Sequence, residues 1–334
     1  MKLLELKENI ATFWIKDSKE IILKKGEIVI NNNVVIKNND LISWTSYINF
    51  FQDFILIQKV KFGEIYVYTF SGELIKKIEE GFNLDIKTIN NIHYIANRNT
   101  KTYWIIDDDL NLTNTGKYIQ FNAVLNNNII HYTSTFIKCY KNLDGDLKWE
   151  IQVADFGRNI AKHPKTGEIL WDKPNEIKEA LLADDKNIYV PLTGGQLLAL
   201  DSQTGEKVWM FDNEKLGMYN IFQDKIYKGD GKSIIALNAK NGQIEKELYF
   251  KNIPILREYI PAGPFLAYED IIISTDVLYG KICMINRHTF EVEEFFSLNK
   301  KLVNSKSAIA WNNNRLYVLD IDRTLHIFEK EENV

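Results

Sequence analysis

The chain has 334 residues, of which 45% are hydrophobic and 12% aromatic, so it contains enough apolar material for a large core. Its formal net charge is −4, with Lys and Arg interspersed among Asp and Glu, and no basic stripe favours a nucleic-acid partner. The first residues lack the apolar segment of an export signal, and no run of about 18 apolar residues occurs. We therefore expect a cytoplasmic protein without a membrane span, although removal of an export signal would give the same pattern.

Polar turns followed directly by apolar strands recur eight times. They lie at Asp17–Ser18, Gln52–Asp53, Asn90–Asn91, Asn126–Asn128, Asp184–Lys186, Gln223–Asp224, Glu269–Asp270 and Asn312–Asn314. Most of these turns are 35 to 46 residues apart, which is the spacing of four-stranded β-propeller blades. The repeat predicts a single all-β domain over residues 1–334, an eight-bladed β-propeller of four-stranded antiparallel blades, with seven blades as the alternative.

The third and fourth strands of each unit should form a second hairpin. Turn residues separate the two apolar runs at Ser71–Gly72, Asp144–Gly145, Thr204–Gly205 and Asn241–Gly242. The last unit ends in TLHIFEKEENV, which supplies a third strand and no fourth. We predict that residues 3–6 pair with the strand around residues 324–328, because strands from both termini would then close the ring without leaving an open edge.

The clearest unit is GQLLALDSQTGEKVWMFD, residues 195–212. Its motif consists of Ala199, Asp201, Thr204, Gly205 and Trp209. This pattern resembles the repeat of the pyrroloquinoline-quinone (PQQ) enzymes and their non-enzymatic relatives. Partial copies occur at Gly145 with Trp149, at Gly167 with Trp171, and at Gly242, where Lys246 replaces the Trp. The resemblance implies that each Trp packs flat between neighbouring blades.

The enzymes of that superfamily use a vicinal disulfide against the quinone and a calcium site of Glu, Asn and Asp in the central funnel. The chain has no adjacent cysteines, since Cys139 and Cys283 are far apart and sit in strand runs like small buried hydrophobes. No set of residues matches the calcium ligands. The resemblance thus implies the ring and not the quinone, and we predict a non-catalytic protein with no cofactor.

Other candidate sites have simpler interpretations. His93 and His131 occupy equivalent IHY triplets, which favours a repeated strand residue over a shared metal or proton site. No HxxxH or CxxC spacing is present. Asp107–Asp109 lacks the alternating oxygen ligands of a calcium loop. We predict no metal site.

Two segments lengthen the repeat, residues 155–174 and 251–264. They contain Pro164, Pro174, Pro254, Pro261 and Pro264, five of the six prolines. Because proline removes a ladder donor, the clustering indicates loops. The stretch 174–183 has helical composition but runs into a polar turn, which leaves helix and strand both open. Each segment joins the fourth strand of one blade to the first of the next, so the two should rise from one face, two blades apart.

Both segments carry the aromatic and Arg residues typical of interface anchors. The candidate partner-binding residues are Phe156, Arg158, His163, Lys165, Trp171, Arg257 and Tyr259. We predict a monomeric module that binds a protein partner. The resemblance to small cytosolic bacterial relatives of this ring implies, more specifically, an antitoxin or immunity-type protein. The alternative function is a PQQ-dependent or other small-molecule enzyme using the central funnel. For the two inserts, the alternative is that they fold down and plug the funnel.

Overall fold

Alternating Ile, Val, Leu and aromatic residues between polar turns give an all-β protein, as the sequence predicts. A computed structural model describes residues 1–16, 19–38, 42, 47–50, 54–58, 64–78, 86–89, 92–97, 102–106, 112–114, 123–125, 128–141, 145–163, 165–212, 217–261, 263 and 265–330. Within those ranges lie 34 strands, β1 to β34, arranged in eight four-stranded antiparallel sheets and one two-stranded hairpin.

The eight sheets are the blades, and each is numbered in chain order. Blade 1 is β2 (Ile10–Lys16), β3 (Lys19–Lys24), β4 (Glu27–Ile30) and β5 (Asn33–Lys37). Blade 2 is β6 (Tyr47–Phe50), β7 (Phe54–Gln58), β8 (Ile65–Thr69) and β9 (Leu74–Ile78). Blade 3 is β10 (Ile86–Ile89), β11 (Ile92–Asn97), β12 (Thr102–Ile106) and β13 (Leu112–Asn114). Blade 4 is β14 (Ala123–Leu125), β15 (Asn128–Tyr132), β16 (Phe136–Tyr140) and β17 (Leu147–Gln152).

The second half of the ring begins after the hairpin of β18 (Arg158–Lys162) and β19 (Ile169–Pro174). Blade 5 is β20 (Leu182–Ala183), β21 (Asn187–Pro191), β22 (Leu197–Asp201) and β23 (Lys207–Phe211). Blade 6 is β24 (Met218–Phe222), β25 (Lys225–Gly229), β26 (Ser233–Asn238) and β27 (Ile244–Tyr249). Blade 7 is β28 (Phe265–Tyr268), β29 (Ile271–Asp276), β30 (Lys281–Asn286) and β31 (Val292–Ser297). Blade 8 is β32 (Ile309–Asn312), β33 (Arg315–Leu319), β34 (Leu325–Glu329) and β1 (Lys2–Lys7).

Each of the eight predicted polar turns falls between the first and second strands of a blade. Four of them lie wholly or partly outside the described residues, at 17–18, 52–53, 90–91 and 126–127, but the strands on both sides are described. Asn313 and Asn314 show why Asn suits these turns, because both have a positive φ, 50° and 60°. The eight-bladed prediction is confirmed, and the seven-bladed alternative is wrong.

The core consists of apolar layers between consecutive blades. In the described part of the chain, such layers join blades 1 and 2, 2 and 3, 4 and 5, 5 and 6, 6 and 7, 7 and 8, and 8 and 1. Because the layer between blades 8 and 1 joins the last unit to the first, the sheets form a closed ring.

Strands from both ends of the chain meet in blade 8. In the pairing of β1 with β34, Leu3 lies opposite Phe328 and Leu6 opposite His326. At the end of β1, the buried Lys7 donates from its Nζ to Glu20 and, at 2.7 Å, to Oδ1 of Asn32. Since Glu20 and Asn32 belong to blade 1, Lys7 connects blade 8, to which both termini contribute strands, with blade 1.

The long connections contain short 3-10 turns at Val153–Phe156, Phe250–Asn252, Pro254–Leu256 and Lys306–Ala308. The stretch 174–183 is extended, with an antiparallel bridge between Ile177 and Leu192, so its helical alternative is wrong. Within the described ranges, no helix is long and apolar enough to cross a lipid bilayer.

Candidate interaction surface

The turn between the third and fourth strands of blade 5 is built by Asp201. Its Oδ1 accepts hydrogen bonds from the backbone N–H groups of Gln203 and Thr204, both at 2.8 Å, and from the Thr204 hydroxyl at 3.3 Å. The N–H of Thr204 contributes most to holding the pKa of the Asp201 carboxyl below its usual value. Ala199 is fully buried in the strand before this turn. The Asp and Thr of the motif therefore fix a tight turn.

The Trp residues of the motif dock onto the turn of the following blade. Trp149 of blade 4 is 8% exposed and donates from Nε1 to the Ser202 carbonyl of blade 5 at 3.3 Å. Trp209 of blade 5 repeats the arrangement on blade 6, donating to the Ala239 carbonyl at 3.0 Å. Gly205 and Gly242 lie directly against the two rings, so a Cβ at either position would come within 2.7 Å and 2.6 Å of the indole.

Blade 7 shows what happens when the motif is lost. Lys246 of blade 6 takes the place of the docking Trp, and Phe290 takes the place of Gly in the blade 7 turn. Phe290 is buried although its φ is +65°, a conformation that disfavours side chains. The Lys246 Nζ lies 5.8 Å from the centre of the Phe290 ring and donates to the His288 carbonyl. At this interface the aromatic ring is therefore supplied by the turn of blade 7 instead of the outer strand of blade 6.

The first insert is a two-stranded hairpin formed by β18 and β19, between blades 4 and 5. It exposes four large apolar side chains: Ile160 (48% exposed), Ile169 (57%), Leu170 (55%) and Trp171 (51%). Every residue of β19 is exposed. Such a concentration of exposed apolar side chains in one short hairpin makes it a candidate interaction surface.

Trp171 does not dock as the blade motif predicts. Its ring is half exposed, and its Nε1 lies 3.5 Å from Oδ1 of Asn159 within the hairpin. A Cβ added to Gly167, the motif glycine of this partial copy, would meet no atom within 4 Å. The spacing from Gly to Trp is therefore kept here without its packing role, because no adjoining blade turn receives the ring.

The base of the hairpin is fixed by Asn175, which is 1% exposed. Its Oδ1 accepts from Gly194 N at 3.0 Å, and its Nδ2 donates to Gln196 Oε1 at 3.2 Å. The Asn175 N–H also donates to the Gly157 carbonyl at 3.2 Å, which brings the two ends of the hairpin together. These hydrogen bonds of the buried Asn175 thus hold the base of the exposed hairpin in place.

The other candidate residues of the first insert have mixed surroundings. Arg158 is exposed and forms an ion pair with Asp172 on the opposite strand. His163 is half-buried, and its Nδ1 accepts from the N–H groups of Lys165 and Thr166 at 3.4 and 3.2 Å. Lys165 is exposed at the tip, next to Pro164, which lies outside the described residues. Phe156 packs against the apolar layer between blades 4 and 5 and contributes mainly to the anchor.

The second insert folds down onto blades 6 and 7, and the prediction for Tyr259 is corrected. Its ring is 4% exposed, packs edge-on against Phe250 and Phe295, and donates from its hydroxyl to Ser274 Oγ at 3.0 Å. Tyr259 is therefore not an exposed anchor on the surface, because it belongs to the same apolar layer as Phe250. Arg257 remains exposed. Pro264, at the end of this insert, lies outside the described residues.

Both inserts lie beside turns that join second and third strands. Ile177, after the hairpin, donates to the Ser134 carbonyl in the blade 4 turn at 2.7 Å. In the second insert, Phe250 donates to the Lys232 carbonyl in the blade 6 turn at 3.0 Å. Since neighbouring strands run antiparallel, the Trp-docking turns lie at the other end of each blade. The inserts therefore share one face, and the docked indoles lie towards the opposite one.

The funnel contains a cavity of about 480 Å³ along the first strands of blades 1, 7 and 8. It is lined by Ile15, Leu266, Tyr268, Ile309, Ala310, Trp311 and Asn312, which present polar and apolar surface in about equal parts. At the face of the inserts, Lys178 donates to the Gly217 carbonyl at 2.7 Å and Lys306 to the Tyr219 carbonyl at 3.1 Å. Burial raises the pKa of the nearby Glu179, while both lysines act against that shift.

Of the two histidines in equivalent triplets, only the side chain of His131 lies within the described residues. His131 is half-buried beside Phe136, and its pKa is lowered by burial and then by Lys138. The side chain of His93 and the whole of Asp107–Asp109 lie outside the described residues. Among the residues that the structure describes, no cluster of three or more His, Cys, Asp or Glu side chains is suited to hold a metal ion.

Comparison with known proteins supports the repeat seen in these blades. Residues 137–252 match the PQQ-repeat family model described as outer membrane protein assembly factor BamB. This range contains the Trp149 and Trp209 docking sites. The match supports the predicted resemblance to PQQ-repeat-like β-propellers. No curated protein matches the chain in sequence.

Solved structures share the fold over nearly the whole chain. BamB from Moraxella catarrhalis is 12% identical, with a TM-score of 0.63 over 98% of this chain and 99% of that one. Sqt1 from Saccharomyces cerevisiae is 10% identical, with a TM-score of 0.62 over 99% and 100%. The computationally designed protein Ika8 is 12% identical, with a TM-score of 0.58 over 98% of both chains. At these identities the likeness establishes the fold.

Proposed function

We propose that the chain is a non-catalytic β-propeller that binds a protein partner through the hairpin of β18 and β19. The observation that carries the proposal is the exposure of Ile160, Ile169, Leu170 and Trp171 on one projecting ribbon. Neither strand of the hairpin pairs with a third strand among the described residues. Its free edges offer backbone donors and acceptors to an added strand.

The charge of the hairpin indicates the kind of surface it fits. Residues 158–174 contain four Lys or Arg against two Asp or Glu, whereas the whole chain has a net charge of −4. All four of these cations are exposed: Arg158, Lys162, Lys165 and Lys173. An acidic partner surface would be attracted by this local excess, and the association should weaken as salt screens it.

Deletion of the hairpin tests the proposal. The Asn175 N–H donates to the Gly157 carbonyl, so a short Gly-Ser linker between these residues replaces 158–174 without opening blade 4 or 5. The variant should keep the melting temperature of the intact chain and lose its bound partner when cells of the source organism are fractionated by affinity capture. Unchanged capture by the deletion variant would refute the role of the hairpin.

A point variant distinguishes specific binding of the partner from non-specific adsorption. Trp171→Ala should reduce partner capture, since exposed aromatic anchors dominate interface energies. The matched control is Ile244→Ala on β27, where the side chain is similarly exposed at 51% but lies on the outer strand of blade 6. Equal loss in both variants would indicate non-specific adsorption.

The more specific proposal is an antitoxin or immunity-type role in the cytoplasm, for which the projecting hairpin would supply the binding element. Co-expression with a candidate toxin encoded by the neighbouring gene tests it. The intact chain should relieve the growth arrest that the toxin causes, and the hairpin deletion should not. A failed rescue would reject this role and leave protein binding in place. The alternative, a PQQ-dependent enzyme, is tested by incubating the purified chain with PQQ and calcium and measuring the absorbance of PQQ. A change in that absorbance on binding would favour the enzyme.

A further inference from the structure

A second concave surface lies between the second insert and blade 6. Its volume is about 530 Å³. The buried rings of Phe250 and Tyr259 form its floor, and Tyr249 and Ile260 form its walls. The Ile260 side chain is 59% exposed, so an apolar surface is accessible from solvent. The cavity is on the same face as the hairpin but is built from different residues.

The cavity's charged lining is exclusively basic. Lys232, Lys251 and Arg257 line it, and all three are exposed. None of them forms an ion pair with another described residue. The Lys251 Nζ lies 5.8 Å from the centre of the Tyr249 ring, which places this cation against the wall of the cavity.

Two carboxylates lie close to the residues that line the cavity. Asp230 Oδ1 accepts from the backbone N–H groups of Lys232 and Ser233 at 3.0 and 2.8 Å, inside the blade 6 turn. Glu247 is hydrogen-bonded to the Tyr249 hydroxyl, and this bond is the main reason the pKa of Tyr249 is raised. Neither acid lines the cavity. Since no Asp or Glu is among the lining residues, a ligand in the cavity would meet three cationic side chains there.

We propose that this cavity binds a carboxylate carried on an apolar group. The guanidinium of Arg257 is suited to a bidentate hydrogen bond with a carboxylate, and the lysines add charge. The rings of the floor and wall bury the apolar body, as ligand sites with a few convergent polar groups do. The carboxylate belongs either to a small organic acid or to the C-terminal end of a peptide, and binding does not depend on the hairpin.

Calorimetric titration with defined probes tests the proposal on the full chain. 3-Phenylpropionate should bind saturably, and inorganic phosphate should bind at least about tenfold more weakly because it lacks the apolar body. Arg257→Gln and Lys251→Gln should each weaken 3-phenylpropionate about tenfold, the usual scale for one hydrogen bond to a charged group. Saturable binding that both variants retain unchanged would overturn the proposal, as would no saturable binding at all.

The source of the carboxylate is distinguished by a peptide pair. Acetyl-Ala-Ala-Phe with a free C-terminus should bind more tightly than 3-phenylpropionate if the site reads a peptide end, and its C-terminal amide should not bind. Preference for 3-phenylpropionate instead assigns a small acid. Lys240→Gln is the matched control, since Lys240 is exposed in the third-to-fourth-strand turn of blade 6 at the other face. An equal loss in that control would mean non-specific charge attraction and refute the site.

Discussion

The contact between Trp209 and Gly242 allows a quantitative test of how the blades are held together. Truncating large buried aromatic residues costs about 3–5 kcal/mol, and Trp209 is 8% exposed. We therefore expect Trp209→Ala to lower the free energy of unfolding by about 3–5 kcal/mol.

Gly242→Ala should destabilise through two separable effects. A side chain at φ +70° costs about 1–2 kcal/mol. The added Cβ would also lie 2.6 Å from Cε3 of Trp209, and such overpacking costs about 1–3 kcal/mol. In the Trp209→Ala background the ring is gone and only the backbone effect remains. The double variant should thus be more stable than the sum of the single effects predicts by about 1–3 kcal/mol.

Urea unfolding of the four proteins measures this coupling, provided that the slope with urea is unchanged. Gly231→Ala is the control, because its φ is +79° but the nearest atom to an added Cβ, the Pro261 carbonyl oxygen, is 3.9 Å away. Its effect should add to that of Trp209→Ala. Strict additivity of Trp209→Ala with Gly242→Ala would show that the indole does not press on the turn, and the docking argument would fail.

Three further predictions concern closure, the thiols and pH. Deleting residues 1–8 removes β1 and the Lys7 contact with Glu20, so the urea midpoint should fall by an equivalent of about 3–5 kcal/mol; an unchanged midpoint would mean a frayed terminus. Burial raises the pKa of Cys139 to about 11 and that of Cys283 to about 12, so neither should react with Ellman's reagent at neutral pH until urea is added. The folded pKa of Asp201 is depressed, so its stabilising contribution is present above the unfolded pKa of about 4 and is lost as pH falls through the folded value. Asp201→Asn should therefore flatten the acid side of the stability profile, and an unchanged profile would contradict this.

The blade period could be predicted from the sequence because each polar turn must lie at a fixed position in a four-stranded sheet. Asn313 and Asn314 sit where a tight hairpin requires positive φ, and few residue types meet that need. The motif glycines were equally readable, because φ and the approach of an indole both exclude a side chain at Gly205 and Gly242. Backbone constraints of this kind are local, and a single sequence displays them.

The inserts were less predictable because their packing is not local. Proline clustering marks both segments as irregular, yet one projects as a hairpin and the other is buried against blades 6 and 7. Tyr259 is buried in the layer between blades 6 and 7, whereas Trp171 is half exposed. Neither residue spacing nor composition predicts this difference. The run Ile169–Leu170–Trp171 was a usable signal, since three consecutive large apolar residues in a loop imply exposure or a partner.

The exchange at Lys246 and Phe290 shows why degenerate repeats still form one ring. At the interface of blades 6 and 7, the turn of blade 7 supplies the aromatic ring that the outer strand of the preceding blade supplies at the two interfaces before it. Phe290 does so from a turn position with φ +65°, and Lys246 caps the turn in place of an indole. Because these contacts lie at one end of the blades and the inserts at the other, we expect the contacts between blades and the proposed partner surface to change independently. Substitutions in the hairpin should therefore alter binding at constant stability, whereas substitutions at the indoles should do the reverse.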